Sequence, residues 1–343
     1  MFKKTITAPL YFFLSIALAC AQTPFVDKFE FVGVAISEPG YHIWGTSPVW
    51  GEDGKVHLFV ARWPEQYQVN PGWRSHSEIA HYVGDSPEGP FQFSEVALKG
   101  TGTDTWDKFA PHNPHIQKIG HQYVLLYIAN DNPNQPPHPS NQNIGMATAD
   151  SPYGPWTKVN EGMPLLTPPD NGSYWNYQAK NGVVNPALLV YKGAYYLYFK
   201  SQNSKMGLAI AEKLEGPYVQ MPFPVTDNDK TIEDGYAFMY EGDICLLTTD
   251  NHGTIKTGGG ILWRSKNGIQ FERYEAGFNL INEYPDAKIT NPKWYYGPKD
   301  RIKFERPQML LKEGKPQYLY LASGCNIYGG KSTVSYILKF KDH

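Results

Sequence analysis

Asp85-Ser86-Pro87-Glu88-Gly89-Pro90-Phe91 returns as Asp150-Ser151-Pro152-Tyr153-Gly154-Pro155-Trp156, and again, shortened, as Leu214-Glu215-Gly216-Pro217-Tyr218. A weaker copy is Lys266-Asn267-Gly268-Ile269-Gln270-Phe271. Each turn follows a short β-prone run, at 79–83, 144–149, 206–211 and 260–264. A second phrase alternates with the first: a polar residue with Pro or Gly, an apolar run, a Gly turn and an aromatic-rich run. Its anchors are Ser47-Pro48, Asn113-Pro114, Asn185-Pro186, Asp234-Gly235 and Arg306-Pro307. Two β-prone runs split by a Gly turn read as a hairpin. The chain therefore holds five units of about four short strands, the content of a propeller blade. The run 29–34 supplies the strand missing from the last unit and closes the ring. A β-sandwich also has many short strands, but it gives no reason for one phrase in every unit. The expected fold is all-β, a five-bladed β-propeller forming one domain over 22–343.

Composition agrees. The 343 residues are 41% hydrophobic, 15% aromatic and 19% charged, which excludes a disordered chain. Basic and acidic residues nearly balance, at 31 against 33, without the basic excess of a nucleic-acid partner. Residues 1–21 read as a signal peptide: Lys3 and Lys4, an apolar run at 10–18, then Ala19-Cys20-Ala21. That run falls short of the roughly 20 residues of a membrane span. Export to the periplasm or outside follows, with a lipid anchor at Cys20 as the alternative. Cys245 and Cys325 would remain. Cys245 reads as a small buried hydrophobe, and one disulfide is left open. No motif demands a cofactor, and no metal-ligand spacing occurs. Channel carbonyls and waters would suffice for a structural Ca²⁺ or other ion.

A propeller places its innermost strands around a central channel. If each anchor opens such a strand, Ser47, Asn113, Asn185, Asp234 with Glu233, and Arg306 with Glu305 meet at one mouth. His42, Trp44, His112 and Lys200 crowd it. Convergent polar groups beside aromatic rings suit a sugar, whose hydroxyls need partners and whose apolar face needs a ring. Arg62, Arg74, Lys200 and Arg306 could pair with an anionic sugar. Trp44, Trp73, Trp175, Tyr177 and Trp294 are candidate stacking rings.

These phrases resemble the five-bladed propeller glycoside hydrolases of families 43, 62, 32, 68 and 117. The likeness runs through Trp44-Gly45-Thr46-Ser47-Pro48, His112-Asn113-Pro114, Asn185-Pro186-Ala187, Glu233-Asp234-Gly235 and Glu305-Arg306-Pro307-Gln308. It implies hydrolysis of a glycosidic bond in plant or algal polysaccharide fragments; removal of a terminal sugar is expected because a single propeller with loops makes a pocket more readily than an open cleft. The family 43 pattern implies acids opening the first, third and fourth blades. Only Glu233 carries over, as the proton donor, with Asp234 beside it to raise its pKa. The other two positions fall on Ser47 and Asn185, which cannot be carboxylate bases. Family 117 enzymes use a His as acid, a role His252 could fill. Asp107, Glu38 and Asp250 are further options for the base. The expected binding residues are Trp44, Ser47, Arg62, His112, Asn113, Asn185, Lys200 and Arg306. Two alternatives stand beside hydrolysis: a non-catalytic glycan-binding propeller, and a polysaccharide lyase using His112 or His252 with Arg62.

Overall fold

The structure, a computed structural model, describes residues 23–132, 142–297, 299 and 301–341. The proposed signal peptide, Cys20 and most of the Pro/Asn-rich stretch after Asn130 lie outside the described residues. Five four-stranded antiparallel sheets follow one another around an axis. Their innermost strands are Tyr41–Trp50, Phe109–Ile119, Val184–Tyr191, Ile232–Tyr240 and Glu305–Lys312, which define blades one to five. The last blade is completed by the first strand, Phe29–Ile36. It pairs antiparallel with Val334–Phe340, from Phe29 opposite Phe340 to Ile36 opposite Ser335. The ring therefore closes where the repeat predicted.

Side-chain alternation explains why the strands read as near-continuous apolar runs. Both faces of each blade are buried against neighbouring blades. In the blade-three strand Ala194–Lys200, Leu197 and Phe199 pack towards blade two, while Tyr198 packs towards blade four. Five apolar clusters result, one between each adjacent pair of blades. Trp175 and Trp294 belong to this packing: both lie against the clusters rather than in the channel mouth. Cys245 and Cys325 are buried and unpaired, so the disulfide left open by the sequence does not form. No helix among the described residues is long and apolar enough to cross a membrane.

The Gly-Pro-aromatic turns cap the outer hairpins of blades one to three. Gly89, Gly154 and Gly216 take φ of 83°, 77° and 93°, a region that only glycine enters freely. The second phrase marks something different. Each inner strand carries a bulge at an equivalent position, with one residue there in the left-handed region: Gly45, Asn113, Asn185, Asp234 and Arg306, with φ between 48° and 63°; blade two has a second shift, at Ala110 (φ 51°). Four of the five anchors fall on these residues. In blade one the register shift lies between Trp44 and Ser47, so Gly45 is the counterpart and Ser47 sits two residues deeper. The Ser47-Pro48 pair resembled the anchors of the other units because of its proline. What the position requires is a positive φ.

Candidate active site

The bulges turn five equivalent residues towards one mouth of the channel. Immediately before the left-handed residue stand Trp44, His112, Val184, Glu233 and Glu305. They line a cavity of about 190 Å³ together with residues from insertions. One insertion is the short helix Val69–His76, between the second and third strands of blade one, which brings Trp73 and Arg74. It packs closely because residue 72 is glycine: a Cβ there would meet Tyr67 at 2.9 Å and Trp63 at 3.3 Å. Tyr296 and Asn181 come from the segments before blades five and three.

Four of these left-handed residues form a hydrogen-bonded ring at the floor of the cavity. Asn113 Nδ2 donates to Asn185 Oδ1 at 2.7 Å, and Asn185 Nδ2 donates to Asp234 Oδ1 at 2.7 Å. The other Asp234 oxygen accepts from the Arg306 backbone N–H at 3.3 Å. Arg306 is fully buried and donates through Nη2 to the carbonyls of Asn113 (3.0 Å) and Pro114 (3.3 Å). It braces the floor rather than facing the cavity. Deeper still, Ser47 Oγ donates to Gln308 Oε1 at 3.0 Å and accepts from Ile116 N–H at 3.0 Å. Ser47 is thus placed below the site, outside the cavity lining.

Three carboxylates converge at this mouth. Glu233 pairs with Lys200, and its side chain keeps 31% exposure. Glu305 pairs with Lys303, and its second oxygen is buried without a partner. Asp234 lies between them in the ring. Burial would raise Glu233, but the Lys200 ammonium, helped by Lys303 and Asn251, outweighs it and holds the carboxyl below its ordinary range. Asp234 is pushed up to about 6 by burial and the neighbouring Glu233 charge. Glu305 is pushed up to about 7, mainly by burial, with Asp234 and Glu233 adding to it. Like charges do split the pair as the sequence suggested. The direction is the reverse of the expectation: Glu233 is the member lowered, and Glu305 and Asp234 are the groups raised.

The remaining sequence candidates divide. Trp44, His112, Asn113, Asn185 and Lys200 line the cavity. His112 stacks on Trp73 at 4.7 Å and shares a 2.9 Å hydrogen bond with Ser77. Burial, reinforced by Arg306, lowers it to about 3, so it is a neutral ring. Arg62 lies elsewhere. Its guanidinium donates to Glu38 at 2.8 Å and Glu78 at 3.0 Å, between the rings of Tyr41 and Phe93. His252 is exposed and outside the cavity lining. Its neighbour Asp250 organises that loop by accepting four backbone N–H bonds, from Gly253 to Lys256. Asp107 is held by Lys158, Tyr127 and Thr105. The sequence reading did not reach Tyr296 or Asn181. Both come from stretches that carry no repeat.

The five-bladed arrangement superposes on several solved glycoside hydrolases. The family 117 glycoside hydrolase Zg3597 of Zobellia galactanivorans superposes with a TM-score of 0.63 at 15% identity, covering 91% of this protein and 90% of that one. BT0996, solved as an RGII complex, superposes with a TM-score of 0.63 at 11% identity, covering 90% of each protein. CoXyl43, a family 43 β-xylosidase/α-arabinofuranosidase from a compost microbial metagenome, gives 0.58 at 15% identity over 93% and 96%. No protein-family model and no curated protein matches at the sequence level. The protein thus has the fold of the five-bladed propeller glycoside hydrolases, as its repeated phrases implied.

Proposed function

We propose that this protein is an exported glycoside hydrolase that removes a terminal sugar from plant or algal polysaccharide fragments. One observation carries the reading: where the five inner strands converge on an open cavity, one carboxylate is held below its ordinary range and another is pushed up to about 7. Glycoside cleavage needs that division, an acid to protonate the departing oxygen and an ionised carboxylate to activate water or attack the anomeric carbon. Glu305 is the proton donor in this scheme, and Glu233 the ionised partner. Asp234 holds the floor and keeps Glu305 high. Trp44, Trp73 and Tyr296 offer rings to the sugar face, and the proposed chemistry uses side chains alone. The cavity is smaller than the ~300–1,000 Å³ of sites for drug-sized ligands, which favours a single terminal unit. The N-terminal sequence supports export.

Glu305→Gln and Glu233→Gln decide the assignment on a panel of plant and algal oligosaccharides and their aryl glycosides. Each should lower turnover of natural linkages by roughly 10²–10⁴. Aryl glycosides with an acidic leaving phenol need little protonation, so they should largely spare Glu305→Gln and not Glu233→Gln. The opposite pattern would return the donor role to Glu233. Asn185, where the family 43 pattern has an acid, favours one rival, a propeller that binds glycans without cleaving them. Glycan binding without turnover on any substrate would establish that rival.

A further inference from the structure

Arg74 differs from the other shielded arginines in having no carboxylate beside it among the described residues. Arg62 is matched by Glu38 and Glu78. Arg264 is matched by Glu241, Asp243 and Glu275. Arg306 leaves Nε and Nη1 buried without partners, but it donates through Nη2 to two carbonyls and has the Asp234 charge beside it. Arg74 is only 7% exposed and lines the cavity, yet no carboxylate among the described residues lies within ion-pair distance of it. Its Nε is buried without a hydrogen-bond partner. Its carbonyl is fixed by Asn130 Nδ2 at 3.0 Å, and its guanidinium lies 5.1 Å from the Trp73 ring. A guanidinium keeps its charge in proteins, and a buried unpaired charge is costly. The wider balance has the same sign: Arg74, Lys200, Lys303 and Arg306 surround three carboxylates, two of which are pushed towards protonation. The site is short of negative charge.

We propose that Arg74 receives the acidic substituent, carboxylate or sulfate, of an anionic sugar, so that the substrate is an acidic glycoside. The assignment of a glycoside rests on the hydrolase reading; the assignment of an anion rests on Arg74. Planar guanidinium matches either oxyacid through two parallel N–H bonds. Trp73 and His112 form the adjoining wall, so the ring would lie against aromatic surface with its acid turned to Arg74.

The test is calorimetric binding to the full-length protein of glucuronate, galacturonate and mannuronate, their neutral hexoses, and galactose 6-sulfate. At low salt an acidic sugar should bind more tightly than its neutral counterpart. That preference should drop by roughly ten- to hundred-fold in Arg74→Met, in line with a charge-assisted hydrogen bond. Arg74→Lys keeps the charge without the fork and should retain part of it. The winning probe separates carboxylate from sulfate. The proposal is overturned if no acidic sugar binds, if neutral and acidic sugars bind alike, or if Arg74→Met keeps the preference. Should Arg74→Met fail to fold, Arg74→Lys decides: weakened acid binding supports the proposal, and unchanged binding overturns it. Arg74-dependent binding of acidic sugars without cleavage of any glycoside would sink the hydrolase reading alone. Cleavage of neutral glycosides that is indifferent to Arg74→Met would sink this proposal alone.

Discussion

In blade four the bulge at the axis carries Glu233 and Asp234; in blade one the same bulge carries Trp44 and Gly45. The backbones match: φ is 63° at Asp234 and 58° at Gly45. The loads differ completely. Asp234 is a buried acid holding Asn185, Thr249 and Arg306, whereas Gly45 lets Asn113 and Arg306 come close. The repeat therefore dictates a conformation, and each blade fills it with its own chemistry. A position can be structurally obligatory in all five blades and chemically active in one or two.

The largest effect should come from Asp234→Ala. It removes the acid that compensates the fully buried Arg306 and leaves the donors of Asn185 and Arg306 unanswered. We expect a loss of about 3–5 kcal/mol in urea unfolding, the usual consequence of breaking a buried charge pair. A loss below that of Gly45→Ala would break the comparison, because the ring would then be mere geometry. Gly45→Ala should cost about 1–2 kcal/mol, since an L side chain is strained at that φ and its Cβ would sit 3.1 Å from Asn113 Oδ1. Ser47→Ala, in the layer beneath, should cost about 1 kcal/mol for one lost hydrogen-bonding hydroxyl and leave substrate affinity unchanged. A change in affinity would restore Ser47 to the site.

The smallest expected effect is a displacement of the pH profile. With Glu305 as donor, kcat/KM should fall as pH rises through about 7, as the acid loses its proton. Lys303 lowers Glu305, so Lys303→Met should move that alkaline limb to higher pH. Lys200 lowers Glu233, so Lys200→Met should move the acid limb upward as well. An alkaline limb that ignores Lys303 would separate Glu305 from the titration.

Particular residues show what the sequence could carry. The Gly-Pro-aromatic turns and the polar anchors were legible because each answers to a local rule of φ or of proline. Blade one misled by two residues, since proline is a weaker mark of this bulge than Gly, Asn or Asp. Arg306 holds a left-handed conformation that no preference of arginine would suggest; tertiary contacts impose it. The convergence of Glu233, Asp234 and Glu305 followed from the repeat, because equivalent strand positions must meet at the axis. Which acid stays protonated did not follow. That depends on Lys200 and Lys303, whose reach is set by neighbouring chain segments. Arg62 and His252 looked suitable by type and neighbouring phrase, yet side-chain partners and exposure take both away from the cavity.

The strand Phe29–Ile36 hydrogen-bonds to Val334–Phe340, its partner at the other end of the five-blade repeat. This one pairing is the clasp of the ring, and it seats Ile36 in the apolar cluster that blades one and five share. Closing so long a loop costs chain entropy, so the integrity of the polar cavity is tied to two segments far apart in sequence.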